Sequence, residues 1–259
     1  MKQGLLDLPA PLLDWVEAWL AASRLPAIVH VFAWGILAGW IGMWVYRRTS
    51  HQERLTAIRR ELAGAQRALA NYDGEFRGLM PLIGRQFGLA FRQMGVTVMP
   101  ALLAGLPLLF MLPWLSNQFE SIRPGARAPI EVCAIPAEIS ASRGWDSATP
   151  ATSAGPGCWE IAWPGRGQMA TLREGNEVLL DLPSSVPVTV VHRHYWLNAL
   201  IGNPAGYLPD SVETQSVHID LPELELHALG PIWLRGWEAA FFFAALIPSL
   251  ILKSQWRLH

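Results

Sequence analysis

The 259-residue chain is 51% hydrophobic and only 16% charged, against roughly 25% charged in an ordinary soluble domain. That composition excludes disorder and speaks against a protein that is soluble throughout. Its 20 Lys and Arg nearly cancel its 21 Asp and Glu, so the molecule has no basic field with which to attract DNA.

Residues 1–25 carry Asp7, Asp14 and Glu17 and lack a short apolar segment leading to a small-residue cleavage site, so a secretory signal is not expected. Within them Leu12, Val16, Trp19 and Leu20 recur at helical spacing, with Asp14, Glu17 and Ala21 turned away. Two readings stay open for this amphipathic helix: it lies in the membrane interface, or it packs on a neighbouring domain.

Crossing a hydrocarbon core of about 30 Å takes about 20 helical residues. Residues 26–46 meet that requirement without a formal charge and end on Arg47 and Arg48. Gly35, Gly39 and Gly42 give this span a small-residue face that another helix can approach closely. His30 falls about one turn inside the boundary, where it either lines a wet cavity or is hydrogen-bonded between helices.

Residues 47–95 hold nine Arg and four acids. Leu55, Ile58, Leu62, Ala65, Leu69, Tyr72, Phe76 and Leu79 alternate spacings of three and four, which predicts a coiled-coil seam. Gly74, Gly78 and Pro81 interrupt it, and Ile83, Phe87, Ala90 and Met94 start a second stripe. A helical hairpin pairs the two stripes; a long helix followed by an interfacial one is the alternative.

A second uncharged span follows at 96–116 and contains Pro100, Pro107 and Pro113. Pro107 lies well inside it and predicts a kink or break, because proline removes a backbone donor. Residues 117–230 then change character. PIEVCAIP, CWEIAWPG, NEVLLDLP, VPVTVVHRHYWL and SVHIDLPELEL are short β-prone runs separated by turn residues, as in a small all-β sandwich. Residues 143–157 read as a flexible loop inside it. His192 and His194 are expected on one strand face, where a structural or surface role outweighs metal binding for want of further ligands. Trp159, Trp163 and Trp196 suit either core packing or a sugar-binding surface.

The third span, 231–252, carries Arg235 and Glu238 near its start and ends at Lys253 of a basic tail, 253–259. Arg235 and Glu238 stand at i,i+3, which suits an outer-leaflet ion pair or a structural pair joining the β-domain to its helix. The Arg-rich segment 47–95 contrasts with 117–230, which has six Arg and thirteen acids. The positive-inside rule therefore places 47–95 and the C-terminus in the cytoplasm, and the N-terminus and β-domain outside, in the periplasm of a bacterial inner membrane. Cys133 and Cys158, the only cysteines, both fall in that outside segment. An oxidising compartment would preserve a bridge between them, worth about 3 kcal/mol for a loop of that length.

Neither a P-loop, a nucleophile elbow, HExxH nor CxxC is present, so no catalytic residue, cofactor or metal site is expected. The order of features nevertheless resembles the core of YidC-type membrane protein insertases, especially their short three-span relatives. The resemblance rests on FRQMGVTVMPALLAGLPLLFMLPWL (residues 91–115), a basic helix running into a Gly- and Leu-Pro-rich membrane entry, and on GPIWLRGWEAAFFFAALIPSLILKSQWR (230–257), with its aromatic start, Ser and basic end. It covers about 11–116 and 229–259.

The resemblance implies a helical membrane protein, here with an inserted β-domain of its own, that acts as an insertase or membrane chaperone. Its partners would be nascent or unassembled membrane proteins and the ribosome. His30, Gln93, Asn117 and Gln118, with Arg235 and Glu238, would then supply the polar lining of a groove that lowers the cost of moving polar flanks through hydrocarbon. Two departures favour an alternative. The first span has no Arg or Lys, and the β-domain sits between the second and third spans rather than ahead of the core. Both suit an accessory or scaffold subunit of an envelope complex that binds its partner through the β-domain.

Overall fold

The computed structural model describes residues 4–74, 76–148, 150–184, 186–227 and 230–256, the side chains of 77 and 139–141 excepted. Arg257 of the expected basic tail lies outside them. About half of these residues are helical, and among them are three helices long and apolar enough to cross a membrane and a separate β-sheet region. It divides into two units, Met1–His30 with Phe110–Ala240, and Val31–Leu109 with Phe241–His259.

The first unit opens with a 3-10 turn, Leu5–Asp7, and helix α1, Ala10–Ala21, which carries Pro in its first turn, where a missing N–H costs nothing. The three spans also end here: α2 (Ala27–Thr49) begins in this unit, α4 (Phe76–Phe119) finishes in it, and α6 (Trp237–Gln255) starts from it. Among the described residues, eight strands lie between. They are β1 (Pro129–Ile135), β2 (Arg143–Ser147), β3 (Thr152–Gly155), β4 (Cys158–Ala162), β5 (Ala170–Glu174), β6 (Glu177–Leu182), β7 (Val190–His192) and β8 (Ser216–Ile219). They form two antiparallel sheets, β3-β4-β1-β8-β7 and β2-β5-β6.

Period-two alternation makes one core of both sheets. In β1, Ile130, Val132 and Ala134 point inward and Glu131 outward; in β5, Ala170 and Leu172 do the same between Thr171 and Arg173. Val132, Val217, Leu172 and Leu182 are completely buried in the shared core. All five β-prone runs contain a strand. Residues 143–157, by contrast, hold β2 and β3 and are not a flexible loop. Composition concealed them because RGWDS and TSAG are poor strand formers, and pairing against β5 and β4 imposes the conformation. β5 also went unread, although its five residues alternate.

In the second unit α2 continues from Val31, followed by α3 (Gln52–Ala70) and the greater part of α4, with α6 from Phe241. Of the expected seam, Leu55, Ile58 and Ala65 are buried on α3. It ends at Ala70, so Tyr72 lies in the connection 71–75 and Phe76 opens the next helix. The second expected stripe faces the wrong way: Phe87 and Met94 are exposed, and Leu89, on another face, is buried.

No boundary separates residues 76–95 from the second span. α4 is one helix of 44 residues, roughly 66 Å long, or about twice a hydrocarbon core. It runs unbroken through Pro81, Pro100, Pro107 and Pro113, so the expected break at Pro107 is absent. One lost hydrogen bond per proline is tolerated in a long apolar helix because neighbouring helices and local adjustments re-satisfy the freed carbonyl. The third span begins later than expected. A single turn, α5 (Ile232–Arg235), is separated from α6 by Gly236 in extended conformation.

Candidate functional site

The glycines of α2 decide how the three helices meet in the second unit. A Cβ on Gly35 would stand 2.6 Å from Ala244 Cβ, and one on Gly39 would stand 2.4 Å from the Ala245 carbonyl oxygen. α2 and α6 are therefore in backbone contact along this face. Gly42, three residues on, faces α4 instead, where a Cβ would lie 3.1 Å from the Ala104 carbonyl. The partner implied by the small-residue face is thus two helices of the same chain. Ser249 Oγ donates to the Ala245 carbonyl at 2.6 Å and to Gly39 O at 3.5 Å, so its hydroxyl is satisfied within this contact.

A cleft of about 370 Å³ opens between the same helices. Ala38, Gly39 and Gly42 of α2, Ala101, Ala104 and Gly105 of α4 and Ala245 of α6 make its walls, with Met43, Leu108, Phe242 and Leu246 around them. Its side-chain polar groups are Tyr46 and Ser249. None of His30, Gln93, Asn117, Gln118, Arg235 and Glu238 lines it.

Each of those candidates has its own place. In the first unit, His30 Nδ1 lies 2.6 Å from Glu17 Oε1, with the imidazole 6% exposed. Gln118 Nε2 donates at 3.1 Å to Asp14 Oδ1, which also accepts Trp114 Nε1 at 2.7 Å. The acids of α1 thus face the start of α2 and the end of α4. Asn117 borders a small polar cleft beside β7, with Thr189, Asn198 and Asn203. Gln93, on α4 in the second unit, is half-buried and its carbonyl accepts Thr97 Oγ1 at 2.9 Å.

The expected Arg235–Glu238 pair is replaced. Arg235 is 3.6 Å from Glu225, and its carbonyl accepts the Leu226 N–H at 2.9 Å. The break at Gly236 puts Arg235 in α5 and exposed Glu238 in the first turn of α6, so no common helix holds them at i,i+3.

Within the sandwich, Cys133 and Cys158 are bridged across β1 and β4, directly opposite in register with Cα atoms 4.1 Å apart. Glu131 stands beside these sulfurs, but each sulfur is spent on the other, so the trio is not a metal centre. His192 ends β7 and His194 lies beyond it, so they do not share a strand face as expected. Their rings pack with Tyr195 and Tyr207. Trp163 is core and Trp159 packs against the core, whereas Trp196 is exposed; the three make no common surface.

A buried polar cluster was not legible in the sequence. Arg143 of β2 lies opposite Glu174 of β5. Its Nε donates to Thr214 Oγ1 at 2.9 Å and lies 3.5 Å from Glu174 Oε2, while Nη1 donates to the carbonyls of Ala134 and Pro136 at 3.2 and 2.8 Å. Burial pushes the Glu174 carboxyl up, but hydrogen bonds from Thr214 Oγ1 and the N–H groups of Glu213 and Thr214, with the Arg143 charge, hold it below the usual glutamate range. Only the alignment of two strands brings these groups together.

No family model, curated protein or solved structure matches the chain. What the fold and these sites define is a chain with three helices long and apolar enough to cross a membrane and a disulfide-bridged β-domain.

Proposed function

We propose that this protein is a membrane chaperone of the YidC-like kind, which holds an apolar segment of a nascent or unassembled membrane protein against the cleft between α2, α4 and α6. α3 and the first part of α4 stand in the cytoplasm, within reach of the ribosome, and the β-domain stands in the periplasm of a bacterial inner membrane. The small-residue walls of the cleft carry the reading. Between helices in lipid there is no hydrophobic drive, so association depends on how closely surfaces approach. Gly and Ala walls leave room for a client's bulkier side chains. With Tyr46 and Ser249 as its polar groups, such a cleft suits retention of an apolar segment better than carriage of charged flanks.

A photo-crosslinking residue at Leu108 or Leu246 during synthesis tests this, since both border the cleft. Gly39 is unsuitable because any side chain there meets the Ala245 carbonyl. Adducts with nascent membrane proteins are expected from both positions. Labelling no stronger than from Leu250, which is exposed, would count against a client site.

A second reading, an accessory subunit of an envelope complex, is favoured by a β-domain with a core of its own and a first span without a cation. Purification in mild detergent separates the two. A stoichiometric partner lost on deletion of residues 120–229 supports the subunit; substoichiometric, varied clients support the chaperone.

A further inference from the structure

The first unit exposes large apolar side chains where its β-domain meets the span ends. On α1 and its lead-in, Leu8, Leu12, Trp15 and Trp19 follow one another at spacings of four, three and four, and Trp15 and Trp19 are 71% and 72% exposed. This stripe is opposite to what a soluble helix would show, because Glu17 turns inward against His30 and Asp14, itself exposed, is held by Trp114 and Gln118. Those two acids tie α1 to Trp114 and Gln118 in the last turns of α4 and to His30 in the first turn of α2.

The β-domain contributes a second patch to the same region. After β7 the chain makes a 3-10 turn, Trp196–Ala199, in the sequence YWLNALI (195–201), which has no charge. Trp196 is 78% exposed, and Leu197, Leu200 and Ile201 are also exposed. The turn abuts the lead-in to α1: Leu6 N–H donates to the Leu200 carbonyl at 2.8 Å, and Asp7 Oδ2 accepts the N–H groups of both Gly4 and Gly202 at 2.8 Å. Gly4 allows this approach, since a Cβ there would stand 2.4 Å from Leu200 O.

We infer that the turn Tyr195–Ile201 is a foot that seats the β-domain in the headgroup layer of the bilayer, on the side where α1 lies. Three observations favour lipid as the occupant. The patch is continuous with α1, which is fastened to the ends of two spans. Tryptophan and leucine without formal charge suit the interface, where an apolar body is buried and a polar edge stays wet. The turn also satisfies much of its own backbone, as a lipid-facing segment must: Asn198 Oδ1 accepts the Tyr195 N–H at 2.7 Å, Asn198 Nδ2 donates to Ile201 O at 3.2 Å, and Leu197 O accepts from Leu200 and Ile201. A similar exposed pair, Ile232 and Trp233, stands on α5 just before α6 enters the membrane. The inference needs the three apolar helices to cross a bilayer; it does not need a client in the cleft.

The native cysteines are bridged, so Leu197→Cys offers one reactive thiol for a nitroxide label. The full chain is placed in nanodiscs of phosphatidylethanolamine and phosphatidylglycerol, and the label's accessibility to oxygen and to a water-soluble nickel chelate is compared. The ratio should favour oxygen at 197 and nickel for the same label on Ser153→Cys, on exposed β3. A nickel-favouring ratio at 197 overturns the foot. So does shielding from both reagents, which would mean that a protein or a second copy covers the turn. A diazirine-bearing phospholipid applied to the unaltered protein gives an independent reading: adducts on the peptide spanning 195–201 support the foot, and their absence while α4 is labelled overturns it.

Discussion

Arg143 and Glu174 are placed where an isolated charge could not be tolerated, and each is acceptable because the other, Thr214 Oγ1 and two backbone groups surround it. Glu174→Ala leaves the guanidinium buried without its counter-charge and is expected to cost about 2–3 kcal/mol, toward the lower end for a broken buried pair because the carboxylate keeps some exposure. Urea unfolding of the full chain in detergent, followed by tryptophan fluorescence, measures it. The same pair makes stability depend on acid. Because the folded carboxyl sits below its ordinary value, its contribution is fully present above the unfolded pKa and is lost as pH falls through the folded one. Glu174→Gln should therefore flatten the stability profile in that acid window; an unchanged profile would remove the carboxylate from the account. None of this could be read from the chain, where Arg143 opens the segment expected to be a loop and Glu174 lies far along in a run not read as a strand.

Helix packing was half legible. The spacing of Gly35, Gly39 and Gly42 announced a close partner, but not that α6 fills the first two positions and α4 the third. Gly39→Val places its Cβ against a carbonyl that cannot move without shifting α6, and overpacking of this kind costs about 1–3 kcal/mol. Gly105→Ala is the control, since nothing lies within 4 Å of a Cβ there. Thermal unfolding in micelles should show a lowered midpoint for the first and none for the second; equal midpoints would mean that α2 and α6 are not held by this contact. α1 shows the other half. Its amphipathic period was visible, yet its tryptophans stand outward while Glu17 turns in to His30 and Asp14 is engaged by Trp114 and Gln118, partners that the period alone could not show. The wet-cavity reading of His30 gives way to a pairing with Glu17, a residue thirteen positions earlier that no short-range pattern links to it.

For the whole molecule, the proposed topology makes a sharp expectation. In sealed inner-membrane vesicles, an impermeant thiol reagent should reach Arg59→Cys on α3 and Ser153→Cys on β3 from opposite faces. Labelling of both from one face would overturn the orientation, and with it the chaperone reading and the resemblance to insertases.

Hydropathy over long windows was enough to locate three apolar helices, alternation was enough to find five of eight strands, and two cysteines in one segment were enough to suggest their bridge. These properties depend on near neighbours in the chain and on the cost of leaving apolar surface or backbone polar groups unsatisfied. Tertiary structure alone decided that Arg235 meets Glu225, that 143–157 completes two sheets, that the expected polar residues stay outside the cleft, and that α1 shows its apolar side outward. Each of those outcomes turns on which distant group supplies a hydrogen bond, a counter-charge or a backbone surface, and such partners are chosen by three-dimensional proximity rather than by spacing along the chain.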